Sequence, residues 1–271
     1  MAREDSFALL QRFLSIPVED GSEVFQMFSQ LPGAVVGKGE KPLERYVFVP
    51  GARKDRVVLV AHADTVWDRA YDRAATASLT FRDGVFSGES ADCGIGADDR
   101  AGCAMVWALR ESGHSLLVVD GEEHGKRGAK FLGESNKKLF RCLNRHRFML
   151  ELDWRGTNGC LYNQVENSQK FKDYITARLG FADDQKKGGC DLQVLCRNVC
   201  GVNLGIGYHN YHTPSETLVL AEWENTLEQL TAFLSAEQPK FPIPRKKQFL
   251  AWLGRMKGRV GSLLRKLKLR K

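Results

Sequence analysis

Residues 55–64 read DRVVLVAHAD. The unbroken apolar run from Val57 to Ala61, rich in β-branched side chains, predicts a strand buried on both faces, as in a parallel sheet with helices above and below. It stops on His62 and Asp64, polar groups at its carboxyl end. The same pattern recurs downstream: HSLLVVDGEE (114–123) and RFMLELDWRG (147–156) also run into acids, and NVCGVNLGIG (198–207) leads into a loop with His209 and His212. RYVFVP (45–50) reads as a further strand. SLTFRDGVFSGE (78–89) reads as a hairpin turning on Asp83-Gly84. Helical spacing predicts helices at 6–14, 99–111, 125–136, 168–180 and 220–236. Strands and helices alternate, which predicts an α/β fold: a three-layer αβα sandwich around a mostly parallel mixed sheet.

Length and composition fit that fold. The chain has 271 residues, 43% of them hydrophobic, enough for one large core. The net charge of +7 is an uneven average: residues 245–271 hold eleven Lys or Arg and no acid, leaving a mildly acidic body. We expect a catalytic domain over 1–238, then a linker and basic tail over 239–271. In the tail Phe249, Leu253, Met256, Val260, Leu263, Leu264 and Leu267 recur at helical spacing among basic residues. Such a segment suits an anionic membrane surface or nucleic acid, or is simply solvated. No apolar run approaches the ~18 residues of a membrane-spanning helix, and the N-terminus has no run of signal-peptide length. Seven cysteines, none in a CxxC pair, point to free thiols in a reducing cytoplasm, with the tail as a means of peripheral membrane association. The CX5CX3C spacing of Cys190, Cys196 and Cys200 matches no structural zinc pattern.

The chemistry gathers at strand ends. In open α/β sheets ligands collect outside the carboxyl ends of strands. His62, Asp64, Glu122, Glu123, Asp153 and His212 follow such ends, and Asp98-Asp99 precedes a helix. Each fragment alone has an ordinary reading; an Asp pair, for instance, commonly caps a helix. Together they form a nitrogen and oxygen donor set suited to Zn²⁺, and also to Co²⁺ or Mn²⁺. Two ions about 3.5–4 Å apart need a bridging carboxylate. Without cations, so many carboxylates in one crevice would repel and raise one another's pKa.

Five segments, VAHADTV (60–66), GIGADDRAG (94–102), VDGEEHGKRGA (119–129), ELDWRG (151–156) and LGIGYHNYHTPSE (204–216), give the chain a resemblance to the co-catalytic zinc exopeptidases and amidohydrolases. That group holds tripeptidases of the peptidase T type, bacterial aminopeptidases, carboxypeptidase G and acetylornithine deacetylase. The opening FLSIPVEDGSE (13–23) is similar to the first helix and turn of such peptidases. The resemblance implies that His62 and Asp153 complete one metal site, Glu123 and His212 the other, and Asp98 bridges them. It implies that Asp64 orients His62. Glu122 would be the general base, taking a proton from metal-bound water and returning it to the leaving amine. It implies a cis peptide between Asp98 and Asp99. His209 also lies near the last ligand, but the family's ligand stands immediately before Thr-Pro, which selects His212. Asp191, after Gly188-Gly189-Cys190, matches a Gly-Gly-x-Asp segment of relatives and would shape the site.

Many relatives insert a lid or dimerisation domain between the Asp ligand and the final His. Here Asp153 and His212 are 59 residues apart, too few for one. The resemblance is therefore to the single-domain aminopeptidase branch. It implies an aminopeptidase or small-peptide exopeptidase acting on short peptides. An N-acyl amino acid deacylase is the alternative within the enzyme class, and a catalytically idle binding protein the alternative outside it.

Overall fold

The four runs read as buried strands lie side by side. The computed structural model describes residues 5–68, 78–89, 91–162, 165–186 and 188–243. Its strands are β1 (Val35–Lys38), β2 (Arg45–Val49), β3 (Val58–His62), β4 (Leu79–Arg82), β5 (Val85–Gly88), β6 (Ser115–Val119), β7 (Met149–Trp154), β8 (Gly159–Leu161), β9 (Ala182–Asp183), β10 (Gly201–Gly205), β11 (Tyr208–His209) and β12 (Thr217–Val219). The helices are α1 (Ser6–Leu14), α2 (Ser22–Ser29), α3 (Ala97–Ala108), α4 (Arg127–Ser135), α5 (Lys137–Leu143), α6 (Gln169–Leu179), α7 (Leu192–Leu195) and α8 (Leu220–Ser235).

The large sheet has the order β1-β2-β6-β3-β7-β10-β8-β9. Its centre, β6-β3-β7-β10, is parallel throughout, and antiparallel pairs flank it. Successive side chains of a strand point to opposite faces, so each central strand feeds two cores. Leu59, Ala61, Leu116, Val118, Leu150, Leu152, Val202 and Leu204 join Leu9, Phe25, Met105, Ile175 and Trp223 from α1, α2, α3, α6 and α8. Val58, Val60, Leu117, Val119 and Met149 join Leu132, Leu139 and Leu192 from α4, α5 and α7. This is the three-layer sandwich that the doubly buried strands imply, each buried aliphatic or Phe side chain contributing about 1.5–3 kcal/mol.

A second, antiparallel sheet, β11-β12-β5-β4, stands beside the large one. Its β4–β5 hairpin turns on Asp83 and Gly84 at φ 50° and 82°, the paired positive angles of a type I′ turn. Between Asp153 and His212 the described chain builds β8, α6, β9, α7, β10 and β11, all within or against these sheets, with no inserted domain. After α8, Phe241 packs on Phe148, Phe171 and Tyr174, and Ile243 is buried. The segment read as the start of a linker thus packs onto the domain. The basic tail, 245–271, lies outside the described residues. No helix among those described is long and apolar enough to cross a membrane. All seven cysteines are free.

Candidate functional site

The first turn of α3, the end of β7 and the loops after β6 and β11 line one cleft of about 380 Å³ with Asp98, Glu122, Glu123, Lys126, Asp153, Arg155, Tyr211 and His212 among others, while His62 and Asp64, at the end of β3, are buried against these acids. A separate depression of about 470 Å³ is lined by Asp20, Glu40, Lys41, Arg45 and neighbours, and contains none of these groups. The convergence of histidines and acids, not size, selects the smaller cleft.

His62 is the buried centre. Its Nδ1 lies 3.3 Å from Asp64 Oδ1. Its Nε2 lies 3.3 Å from Asp98 Oδ1 and 3.4 Å from Asp153 Oδ1. His212 presents Nε2 to Asp98 Oδ2 at 3.1 Å and to Glu123 Oε1 at 2.6 Å. Asp98 therefore stands between two imidazoles with one oxygen toward each. His212 adopts φ 62°, uncommon for a residue with a Cβ. Its ring stacks edge-on against Tyr211.

Two triads of donor atoms fall within 4.8 Å of one another: His62, Asp98 and Glu123, and His62, Asp99 and Asp153. Proximity alone would thus put Asp99 among the candidate ligands. Its hydrogen bonds say otherwise: Oδ2 accepts from the His62 amide and Oδ1 from the Gly102 amide, each at 3.0 Å. Asp98 Oδ1 is buried with no hydrogen-bond partner, so Asp98 is the acid of the pair left open to a cation. The peptide between them is cis.

Asp64 does more than face His62. It accepts the amides of Glu122 and Glu123 at 3.1 and 3.2 Å and so fixes the loop after β6, where Gly121 turns at φ 69°. Asp153 receives the Tyr208 hydroxyl at 3.3 Å, and its backbone is held by Asn203. Glu122 pairs with Lys126, Nζ to Oε1, at 3.1 Å. His209 is not in the cleft; it faces Glu222 Oε2 at 2.8 Å. Asp191 is fully buried, with neither carboxylate oxygen hydrogen-bonded. Its amide donates to Glu151 Oε1, so it belongs to a buried acid cluster.

Sequence reasoning missed Glu216, although it closes the HTPSE segment. It is buried, and its carboxylate accepts the amides of Gly96 at 2.7 Å and Asp98 at 3.0 Å. A Cβ on Gly94 would come within 2.5 Å of this carboxylate. The glycines flanking Ile95 were the available signal of a close approach.

Burial and mutual charge set the protonation of the cluster as a set of protein groups alone. Burial raises Glu123 to about 7, with the charge of Asp98 adding to it. Burial pushes Asp153 well up, again with Asp98 contributing. For His212 burial works downward, but hydrogen bonds to Asp98 and Glu123 win and lift it to about 10. His62 is likewise raised despite burial, chiefly by Asp153. For Asp98 burial is outweighed by the two imidazoles, which hold it below the usual carboxylate range. Protons on the histidines neutralise the carboxylates, and bound divalent cations would replace those protons. The donor set, the orphaned oxygen of Asp98 and this excess of acid fit divalent metal ions.

Comparison with solved structures places the fold among aminopeptidases. The aminopeptidase PepT of Bacillus cereus superposes with a TM-score of 0.65 at 14% identity, covering 87% of this chain and 98% of that one. A tripeptidase of Staphylococcus aureus gives 0.61 at 13% identity over the same shares. An aminopeptidase of the archaeon Desulfurococcus kamchatkensis gives 0.60 at 10% identity, covering 87% and 96%. At these identities the likeness is one of fold. No family model and no curated protein matches the chain.

Proposed function

We propose that the chain is a metal-dependent amide hydrolase with a two-ion site, acting as an aminopeptidase or small-peptide exopeptidase. The carboxylate of Asp98 supports this reading best, because it offers one oxygen to the His62 side and the other to the His212 side. His62, Asp98 and Asp153 would hold one divalent ion, and Asp98, Glu123 and His212 the other. The ions are zinc, with cobalt or manganese compatible with the same donors. When bound, they polarise the scissile carbonyl and lower the pKa of the attacking water.

The protein's own groups do the rest. Asp64 accepts the Nδ1 proton of His62, leaving Nε2 free as a donor atom, and through the Glu122 and Glu123 amides sets base and ligand in register. Glu122 takes the proton of the attacking water and gives it to the leaving nitrogen. Lys126 holds the Glu122 carboxylate in place. N-acyl amino acid deacylation is the second reading, because Arg155 at the cleft wall offers the same charge to the carboxylate of an acyl amino acid as to that of a short peptide.

Glu122→Ala tests the assignment of the base. It should retain its metal while turnover falls by about 10²–10⁴-fold, read by metal analysis alongside hydrolysis of free-amine, free-carboxylate and N-acylated peptides. Near-normal turnover would mean the base lies elsewhere. The substrate panel separates aminopeptidase, carboxypeptidase and deacylase activity.

A further inference from the structure

Besides His212, two cationic side chains, Lys126 and Arg155, line the cleft. Lys126 is engaged with Glu122. Arg155 is not engaged with any acid: among the described residues no carboxylate pairs with it. Its guanidinium lies 4.6 Å over the Trp154 ring and 5.1 Å from the Tyr211 ring centroid, and Nη1 donates to the Tyr211 hydroxyl. One donor of five is thereby used. Two aromatic rings flank the guanidinium without neutralising it. A guanidinium stays charged at every working pH, and its planar fork matches a carboxylate with two parallel hydrogen bonds. In an acid-rich cleft, a cation held in this way and lacking a counter-ion among the described residues calls for an anionic group on the ligand.

We propose that Arg155 is a carboxylate anchor, and that the substrates are short peptides or N-acyl amino acids carrying a carboxylate close to the scissile amide. This rests on the hydrolase reading above. Position limits the length. Arg155 lies two residues beyond Asp153, and the legs from guanidinium to Tyr211 ring (5.1 Å) and from that ring to the His212 ring (4.5 Å) keep the cation within roughly three extended residues of His212, at about 3.3–3.6 Å each. The anchored carboxylate is the C-terminal one of a di- or tripeptide or an acyl amino acid, or an acidic side chain at the same distance.

The test uses the full chain loaded with Zn²⁺ and matched substrates: di- and tripeptides as free acids and as C-terminal amides, and each with Glu or Gln beyond the scissile bond. We expect kcat/KM for the acid to exceed that for the amide by at least tenfold. The ratio should fall toward one in Arg155→Gln and recover in part in Arg155→Lys, with melting temperatures reporting the fold of both variants. The same pairs are also measured by calorimetric binding in the Glu122→Ala background. If the wild type cleaves none of them, but acid binds more tightly than amide and Arg155→Gln removes the difference, the hydrolase reading falls and the anchor stands. If the Glu/Gln pair instead of the terminal pair shows the Arg155-dependent difference, the anchored group is a side-chain carboxylate. Equal acid and amide values in the wild type, or a preference that survives Arg155→Gln in both measurements, overturns the anchor.

Discussion

Glu216 shows how much of a site can rest on a residue that touches no substrate. Its carboxylate takes the amides of Gly96, Ala97 and Asp98 and so determines where the Asp98 carboxylate points. Burial, with the charge of Asp98 adding to it, raises Glu216 to about 8. Glu216→Ala leaves those amides without acceptors, and each buried, unpaired group costs about 1–3 kcal/mol. Urea denaturation should show a loss of that size, and zinc affinity should fall about 10–100-fold, as is typical when a group supporting a ligand is removed. A variant with the wild-type midpoint and affinity would show that Glu216 merely fills space. At this scale the sequence was legible wherever a polar residue interrupts an apolar strand, as at His62 and Asp153. It was not legible for groups whose role is to receive backbone amides from distant segments: nothing local to Glu216 names Gly96, and nothing local to Asp64 names Glu122 and Glu123. Arg155 and Tyr211 meet across 56 residues and have no local pattern either.

The element that aims the bridging acid is α3. Its first turn is irregular, with Asp98 and Asp99 outside helical φ/ψ, and it lies directly on β7. A Cβ at Gly102 would stand 2.1 Å from the Leu152 carbonyl oxygen and 2.2 Å from Asp99 Oδ1. Gly102→Ala must therefore push α3 off the sheet and disturb Asp99. We expect a stability loss of about 1–3 kcal/mol, typical of overpacking, with weakened metal binding, both read by denaturation with and without zinc. An unchanged curve would mean the helix can shift freely and does not set the site. Long elements with strong periodicity, β3, β6, β7, α1, α6 and α8, were legible within a few residues. Short ones were not: α2, α5, β1, β11 and β12 gain their definition from packing and caps. Asn136, whose side chain accepts from the Leu139 amide, was a usable start signal for α5. β11 and β12, of two and three residues, exist because the hairpin β4–β5 offers them an edge.

For the whole molecule, the acid cluster ties stability to pH and to cations together. In the metal-free chain Glu123, Glu151 and Asp120 are raised by burial to about 7, and His212 is raised to about 10. The folded state thus binds more protons than the unfolded one above pH 6.5, and stability falls as pH rises. His146, lowered by burial to about 4, works the other way only below 6.5. Chelator-treated protein should therefore melt at a lower temperature at pH 8.5 than at 6.5, and saturating Zn²⁺ should reverse that order, because ligands shed protons to bind metal. A metal-free melting temperature that does not fall with pH would argue against a shared acid cluster. The most direct measurement of the two-ion site is metal analysis of the purified protein combined with peptide hydrolysis before and after chelation. A two-ion site predicts about two equivalents of zinc, cobalt or manganese per chain, with hydrolysis lost on chelation and restored by adding the metal back. Protein that carries no stoichiometric divalent ion, or that cleaves peptides equally well in excess chelator, would contradict it.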